Sequence, residues 1–219
     1  AVATLLVATI LLLSVSIIIS LEKGNPATTT AQQYIYSVVK TYPHDQNAFT
    51  EGLFFADGYL YESTGLNGAS TLRRVNLDSG QVLQQVSLPN QFFGEGTTLV
   101  NDAIIQLTYT SNVGFIYDKS SFALRGNFTY PTQGWGLTYD GKNLIMSDGS
   151  DNLYFLNPET YQKTGQIHVQ DGNASVRNLN ELEYVNGDVY ANIFEQQKIA
   201  IINIETGQVK AYIDLTGLH

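Results

Sequence analysis

Glu51-Gly52-Leu53, Glu95-Gly96-Thr97, Trp135-Gly136-Leu137 and Asn180-Glu181-Leu182 each open an apolar run that is followed by a tight turn and a second apolar run. They recur 40 to 45 residues apart, which is the period of a β-propeller blade. A propeller gathers the equivalent strand starts of all its blades around one mouth. Glu51, Glu95, Trp135 and Asn180 are therefore expected to converge in space, and carboxylates, an amide and an aromatic ring at one mouth have the makings of a reaction site.

Working outward, each repeat has the same grammar: an inner strand, a short turn, a second strand, a polar hairpin, a third strand, a turn and an outer strand. The first turns are Asp57-Gly58, Asn101-Asp102, Asp140-Gly141 and Asn186-Gly187, residue types that tolerate the positive φ of hairpins. Upstream, Tyr34 to Val39 is β-branched and aromatic and reads as a further strand stopped by Pro43. That leaves more outer strands than sets of inner ones, and propellers close their ring by lending a terminal strand to the last blade. The expected fold is all-β: a five-bladed β-propeller lacking the inner strands of its last blade, which are expected beyond His219. A four-bladed ring with Tyr34 to Val39 as a spare edge strand is the alternative.

The 219 residues carry 43% apolar side chains and a net charge of −9, enough for one domain with a sizeable core. With no basic stripe, nucleic acid is excluded as a partner. The absence of cysteine rules out disulfides and thiolate chemistry. Ala1 to Leu21 is uncharged and rich in Leu, Ile and Val, long enough to cross a bilayer as a helix. It reads as a signal anchor, or else a cleaved signal peptide, which predicts an exported or membrane-anchored, extracytoplasmic protein. The domain boundaries that follow are 1–21 for the anchor, 22–32 for a linker rich in Gly, Pro and Thr, and 33–219 for the propeller. The expected state is a monomer.

Glu95 lies between two glycines at a strand start, where backbone approaches a ligand closely. Trp135 is the only tryptophan, and its glycine neighbours suit a pocket wall. Phe49, Phe93, Tyr109 and Phe194 occupy comparable strand positions. Strand alternation puts Asn180 on one face with Leu182 and Tyr184, towards the mouth, and Glu181 and Glu183 on the other. His44, His168 and His219 are too scattered for a zinc site, and Asp148-Gly149-Ser150-Asp151 reads as a hairpin turn and not as a calcium loop. No metal ligand set and no cofactor are expected.

The runs His44-Asp45 and Ala48 to Leu53, Leu60 to Leu66, Phe93 to Gly96, Gln106 to Thr108, Gly134 to Thr138, Ser147 to Gly149 and Leu179 to Tyr184 resemble, in this order, the plant- and bacterial-type glutaminyl-peptide cyclotransferases. The resemblance implies a five-bladed propeller that converts N-terminal glutamine of peptides and proteins to pyroglutamate with loss of ammonia. It implies an essential glutamate at Glu95, a carbonyl-binding asparagine at Asn180 and a pocket tryptophan at Trp135. Tyr109 and Phe194 stand where further pocket aromatics are implied, Glu51 stands where relatives carry Gln or Glu, and Gln133 replaces a glutamate. A functional lysine in a Thr-Gly-Lys-type motif of the last blade is also implied, and the sequence ends before such a motif.

These residue types suit the chemistry. The α-amine, with an ordinary pKa of about 7.7–8.0, must be neutral to attack the γ-amide carbonyl, and ammonia must leave protonated. Because the reaction is intramolecular, holding the folded conformer and managing two proton movements suffice. Glu95 is expected to carry both protons and Asn180 to donate to the carbonyl oxygen. Glu51 and the rings of Phe49, Phe93, Tyr109, Trp135 and Phe194 are expected to hold the substrate. The competing readings are a non-catalytic propeller that binds peptide N-termini or glycans, and a calcium-centred propeller hydrolase, for which the strand starts offer too few carboxylates.

Overall fold

The computed structural model describes residues 31–218, together with the backbone of two segments nearer the N-terminus. Those segments are β1 (Thr4–Val7) and β2 (Leu13–Ile18), followed by β3 (Gln32–Ile35) and β4 (Val38–Thr41). Four blades come next. The first is β5 (Thr50–Ala56), β6 (Tyr59–Thr64), β7 (Thr71–Asn76) and β8 (Val82–Ser87). The second is β9 (Gly94–Val100), β10 (Ala103–Thr108), β11 (Val113–Asp118) and β12 (Leu124–Thr129). The third is β13 (Leu137–Tyr139), β14 (Leu144–Ser147), β15 (Asn152–Leu156) and β16 (Lys163–His168). A small hairpin, β17 (Gln170–Asp171) and β18 (Ala174–Ser175), leads to the fourth: β19 (Leu179–Val185), β20 (Asp188–Ile193), β21 (Lys198–Asn203) and β22 (Val209–Asp214).

Each blade is an antiparallel meander, and the cores lie between blades. Phe54, Tyr61 and Leu72 of the first pack on Ile104, Phe115 and Tyr117 of the second. Ile105, Leu107 and Phe128 then meet Leu137, Leu144 and Met146 of the third. Ile145 and Leu153 meet Leu182, Val189 and Ala191 of the fourth. A strand buried on both faces needs a near-continuous apolar run, and Ala103 to Thr108 and Leu144 to Ser147 supply one.

Three of the predicted first turns are two-residue hairpins, with positive φ at Asp57 and Gly58, at Asn101, and at Asn186 and Gly187. The third is longer, since Tyr139 pairs with Leu144. The second set of turns repeats more closely than the sequence reading found. Asn76, Asp118, Asn157 and Asn203 each accept a backbone N–H four residues on, and each side-chain oxygen caps the N–H groups between.

The inner strands β5, β9, β13 and β19 pack in succession, at glycines. A Cβ on Gly52 would lie 2.6 Å from Thr97 N, one on Gly96 would lie 2.6 Å from Leu137 N, and one on Gly136 would lie 2.8 Å from Glu181 Cα. In the fourth blade the equivalent residue is Glu181, whose carboxylate accepts the N–H of Leu53 on β5.

Two expectations require correction. The described residues form four blades, and the inner strands expected for a fifth fall beyond His219, outside them. The strand expected over Tyr34 to Val39 is split: β3 adds to the outer edge of the fourth blade, parallel to β22, and β4 pairs with β2. The parallel edge is open to it because Ala31 is anchored, buried and donating to Asp171. The helix expected over Ala1 to Leu21 is also not found where that stretch is described, because β1 and β2 are paired antiparallel strands. No helix among the described residues is long and apolar enough to cross a membrane. An apolar run rich in Leu, Ile and Val suits a strand as well as a helix, and hydrophobicity alone does not choose between them.

Gly136→Ala is expected to cost about 1–3 kcal/mol by forcing neighbouring inner strands apart. Gly165→Ala, whose Cβ would stand 3.6 Å from Phe155, should stay within about 0.5 kcal/mol of the parent; urea unfolding midpoints of the two variants check this.

Candidate active site

Every inner strand carries an irregularity at the residue that heads it. In β5 the register steps across Glu51, in β9 across Glu95 and Gly96, and in β19 across Asn180 and Glu181. In the third blade Ser147 faces both Trp135 and Gly136, accepting from the N–H of one and donating to the carbonyl of the other. These are β-bulges, which put one extra residue into a strand and re-aim its side chain. The glycine that follows each of Glu51, Glu95 and Trp135 is the sequence signal for them.

The bulge in β19 overturns the simple alternation expected there. Leu179 and Leu182 are both buried, three residues apart, so Asn180 and Glu181 both fall in the step between them. The Asn180 carbonyl accepts from Ser147 Oγ at 2.6 Å, while its side-chain amide has no hydrogen-bond partner among the described residues.

The five aromatic residues do come together. They lie just before inner strands or just after second strands, at one rim of the blades, and form an unbroken belt. Ring centroids are 5.9 Å apart for Phe49 and Phe93, 6.0 Å for Phe93 and Tyr109, 6.3 Å for Tyr109 and Trp135, and 5.4 Å for Trp135 and Phe194. The first and last contacts are edge to face, an arrangement favoured by the ring quadrupoles. Phe49 and Phe194, at the two ends, are 49% and 48% exposed, far more than a packed core tolerates.

Trp135 is held from two sides. Its Nε1–H donates to Gln133 Oε1 at 3.0 Å, and its ring lies on Gly149, where φ is +78° and a Cβ would come within 2.6 Å of Cζ2. Gly65 stands in the same relation to Phe93. Gln133, Gly149 and Gly65 are the supports of the belt that the sequence reading did not assign.

Glu95 is 6% exposed and Glu51 half-buried. They head adjacent inner strands whose backbones touch at Gly52 and Gly96. Among the described residues neither carboxylate has a hydrogen-bond or ion-pair partner, and no Lys or Arg occurs in any of the four inner strands. Burial raises the Glu51 carboxyl to about 7. Burial, with the charge of Glu51 adding to it, raises Glu95 to about 10. On β19, burial lifts Glu183 to about 7 although Thr138 donates to it. Burial also holds Glu181 well above its ordinary range, and Glu183 reinforces the shift.

Beside the site, the buried Glu62 accepts from Thr50 Oγ1 at 2.6 Å and from His44 Nε2 at 2.7 Å, while Arg73 bridges it to Asp45. This set pins Thr50 between Phe49 and Glu51. Among the described residues no three His, Asp or Glu side chains are placed to hold a metal ion together.

The propeller thus combines, at its inner strand heads and one rim, carboxylates without partners among the described residues and a continuous aromatic wall. The comparisons narrow this. The glutamine cyclotransferase family matches residues 9–219, and the chain belongs to that family. It is 40% identical over 183 residues to the glutaminyl-peptide cyclotransferase of Arabidopsis thaliana, a match covering 83% of this chain and 57% of that protein. The Myxococcus xanthus glutaminyl cyclase superposes with a TM-score of 0.80 at 34% identity, over 86% of this chain and 80% of that one. A chain of Kuenenia stuttgartiensis hydrazine synthase shares the fold alone, with a TM-score of 0.53 and 12% identity, over 80% of this chain and 52% of that one.

Two outcomes are expected. The Glu95 carboxyl lies near 10 in the folded state against an ordinary 4.5, so the folded protein keeps a proton that the unfolded chain releases, and stability falls as pH rises from about 4.5 towards 10. Glu95→Gln should therefore raise the urea midpoint at pH 8 and leave it almost unchanged at pH 4. Gly149→Ala should displace the Trp135 ring and shift the protein's single-tryptophan emission to the red. Gly58→Ala, at a comparable φ of +82° but in open space, should not.

Proposed function

We propose that this chain is the catalytic propeller of a glutaminyl-peptide cyclotransferase, which closes the N-terminal glutamine of peptides and proteins to pyroglutamate and releases ammonia. The observation that carries the reading is a buried carboxyl, Glu95, without a partner among the described residues and heading an inner strand beside five contiguous aromatic residues.

The reacting amine and amide belong to one residue, so the protein gains most by holding the glutamine folded with the amine near the γ-carbonyl carbon. The belt from Phe49 to Phe194 grips the side-chain methylenes and excludes water, which strengthens the polar contacts at the reacting atoms. Asn180 donates its amide N–H to the γ-carbonyl oxygen as charge builds there. Glu95 holds its proton at neutral pH and delivers it to the departing nitrogen. No step is assigned to a metal or cofactor. The uncharged run from Ala1 to Leu21 supports, within the same proposal, an exported enzyme that meets its peptides outside the cytoplasm.

With Gln-Ala or Gln-Gln as substrate and chelator present, ammonia release should exceed the spontaneous rate. It should fall by about 10²–10⁴ in Glu95→Gln and by about 10²–10³ in Asn180→Ala. Release at the spontaneous rate from folded protein overturns the reading, as does an undiminished rate in Glu95→Gln.

A further inference from the structure

A carboxyl that holds its proton at neutral pH can deliver one to the leaving group but cannot first receive one from the amine. The reaction needs both movements, and a second carboxyl heading the adjacent inner strand is placed to take the amine's proton. We propose that Glu51 and Glu95 form a proton-sharing pair, in which Glu51 receives the proton of the attacking amine and Glu95 delivers one to the departing amide nitrogen. This rests on the cyclotransferase reading and divides between two residues the work first expected of Glu95 alone.

The geometry is that of two carboxylates heading neighbouring inner strands, each on a bulge, with backbones in contact at Gly52 and Gly96. Neither has a cation or a donor among the described residues. The other charged groups on packed elements are engaged elsewhere. Glu181 accepts from Leu53 through one oxygen while its Oε1 has no partner among the described residues, Glu183 faces Thr138, and His44, Glu62, Arg73 and Asp45 pair among themselves. Carboxyls whose environments separate their affinities for protons take opposite roles. Glu51, near 7, is ionised when the amine is neutral, and Glu95 is not.

The steps balance. The neutral amine attacks the γ-carbonyl carbon, forming the ring C–N bond, and the nitrogen passes a proton to the Glu51 carboxylate. Glu95 protonates the amide nitrogen, the exocyclic C–N bond breaks, and ammonia leaves. The proton on Glu51 then moves to the Glu95 carboxylate, which restores the pair.

The test is the pH dependence of kcat/KM for Gln-Ala in the parent, Glu51→Gln, Glu51→Asp and Glu95→Gln, with the Glu95 carboxyl titrated by carbon NMR in the first two. In the parent, log kcat/KM should climb with slope two at low pH, because Glu51 and the substrate amine must both lose a proton. In Glu51→Gln the slope should fall to one and kcat by at least about 10²-fold, with partial recovery in Glu51→Asp, and the Glu95 titration should move down. An active parent whose profile and rate survive Glu51→Gln overturns the pair while leaving the cyclotransferase reading intact. An unmoved Glu95 titration overturns it too. A folded parent that releases no ammonia overturns the reading and the pair together.

Discussion

The close approach of the inner strands governs everything else in this molecule. Gly52, Gly96 and Gly136 leave no room for a side chain between one blade's backbone and the next. With the strands that near, Phe49, Phe93, Tyr109, Trp135 and Phe194 come within ring contact although they belong to four blades. The apolar clusters between blades then fix the spacing from outside. Interiors packed like crystals resist displacement, so the belt is defined by its frame and not by its own contacts.

Much of this was legible in the chain. The period of the repeats, the short turns and the heads at Glu51, Glu95, Trp135 and Asn180 required only spacing and turn chemistry. The aromatic positions were readable because strand starts recur in register. What escaped was local. The bulges break alternation within one or two residues, too short an interval for a period to reveal, and so Asn180 and Glu181 were assigned to opposite faces of a regular strand. Gln133 and Gly149 became meaningful only when the Trp135 ring could be seen against them. The N-terminal run misled because apolarity without a period is compatible with strand and helix, and β3 because pairing partners are chosen by tertiary contact.

The site is costly to the fold. Glu51, Glu95, Glu181 and Glu183 are all pushed towards neutrality by burial, and the inner strands contain no cation to relieve them. In a protein carrying a net charge of −9, concentrating acids near the centre runs against stability and in favour of chemistry. The fixed charges of the neighbouring set take the other course: Glu62, His44, Arg73 and Asp45 satisfy one another and immobilise Thr50. One group of ionisable residues is paired and structural, whereas in the other Glu51 and Glu95 have no hydrogen-bond or ion-pair partner among the described residues.

In the fourth blade Glu181 takes the place of the packing glycine of the first three and reaches across to Leu53. A ring of identical blades would be rotationally symmetric and would offer a ligand several equivalent poses. Here the heads differ in turn, Glu51, Glu95, Trp135 and Asn180, so no such degeneracy exists. Each blade therefore presents its own group at one rim, and the frame distinguishes one direction around the mouth from the other before any ligand arrives.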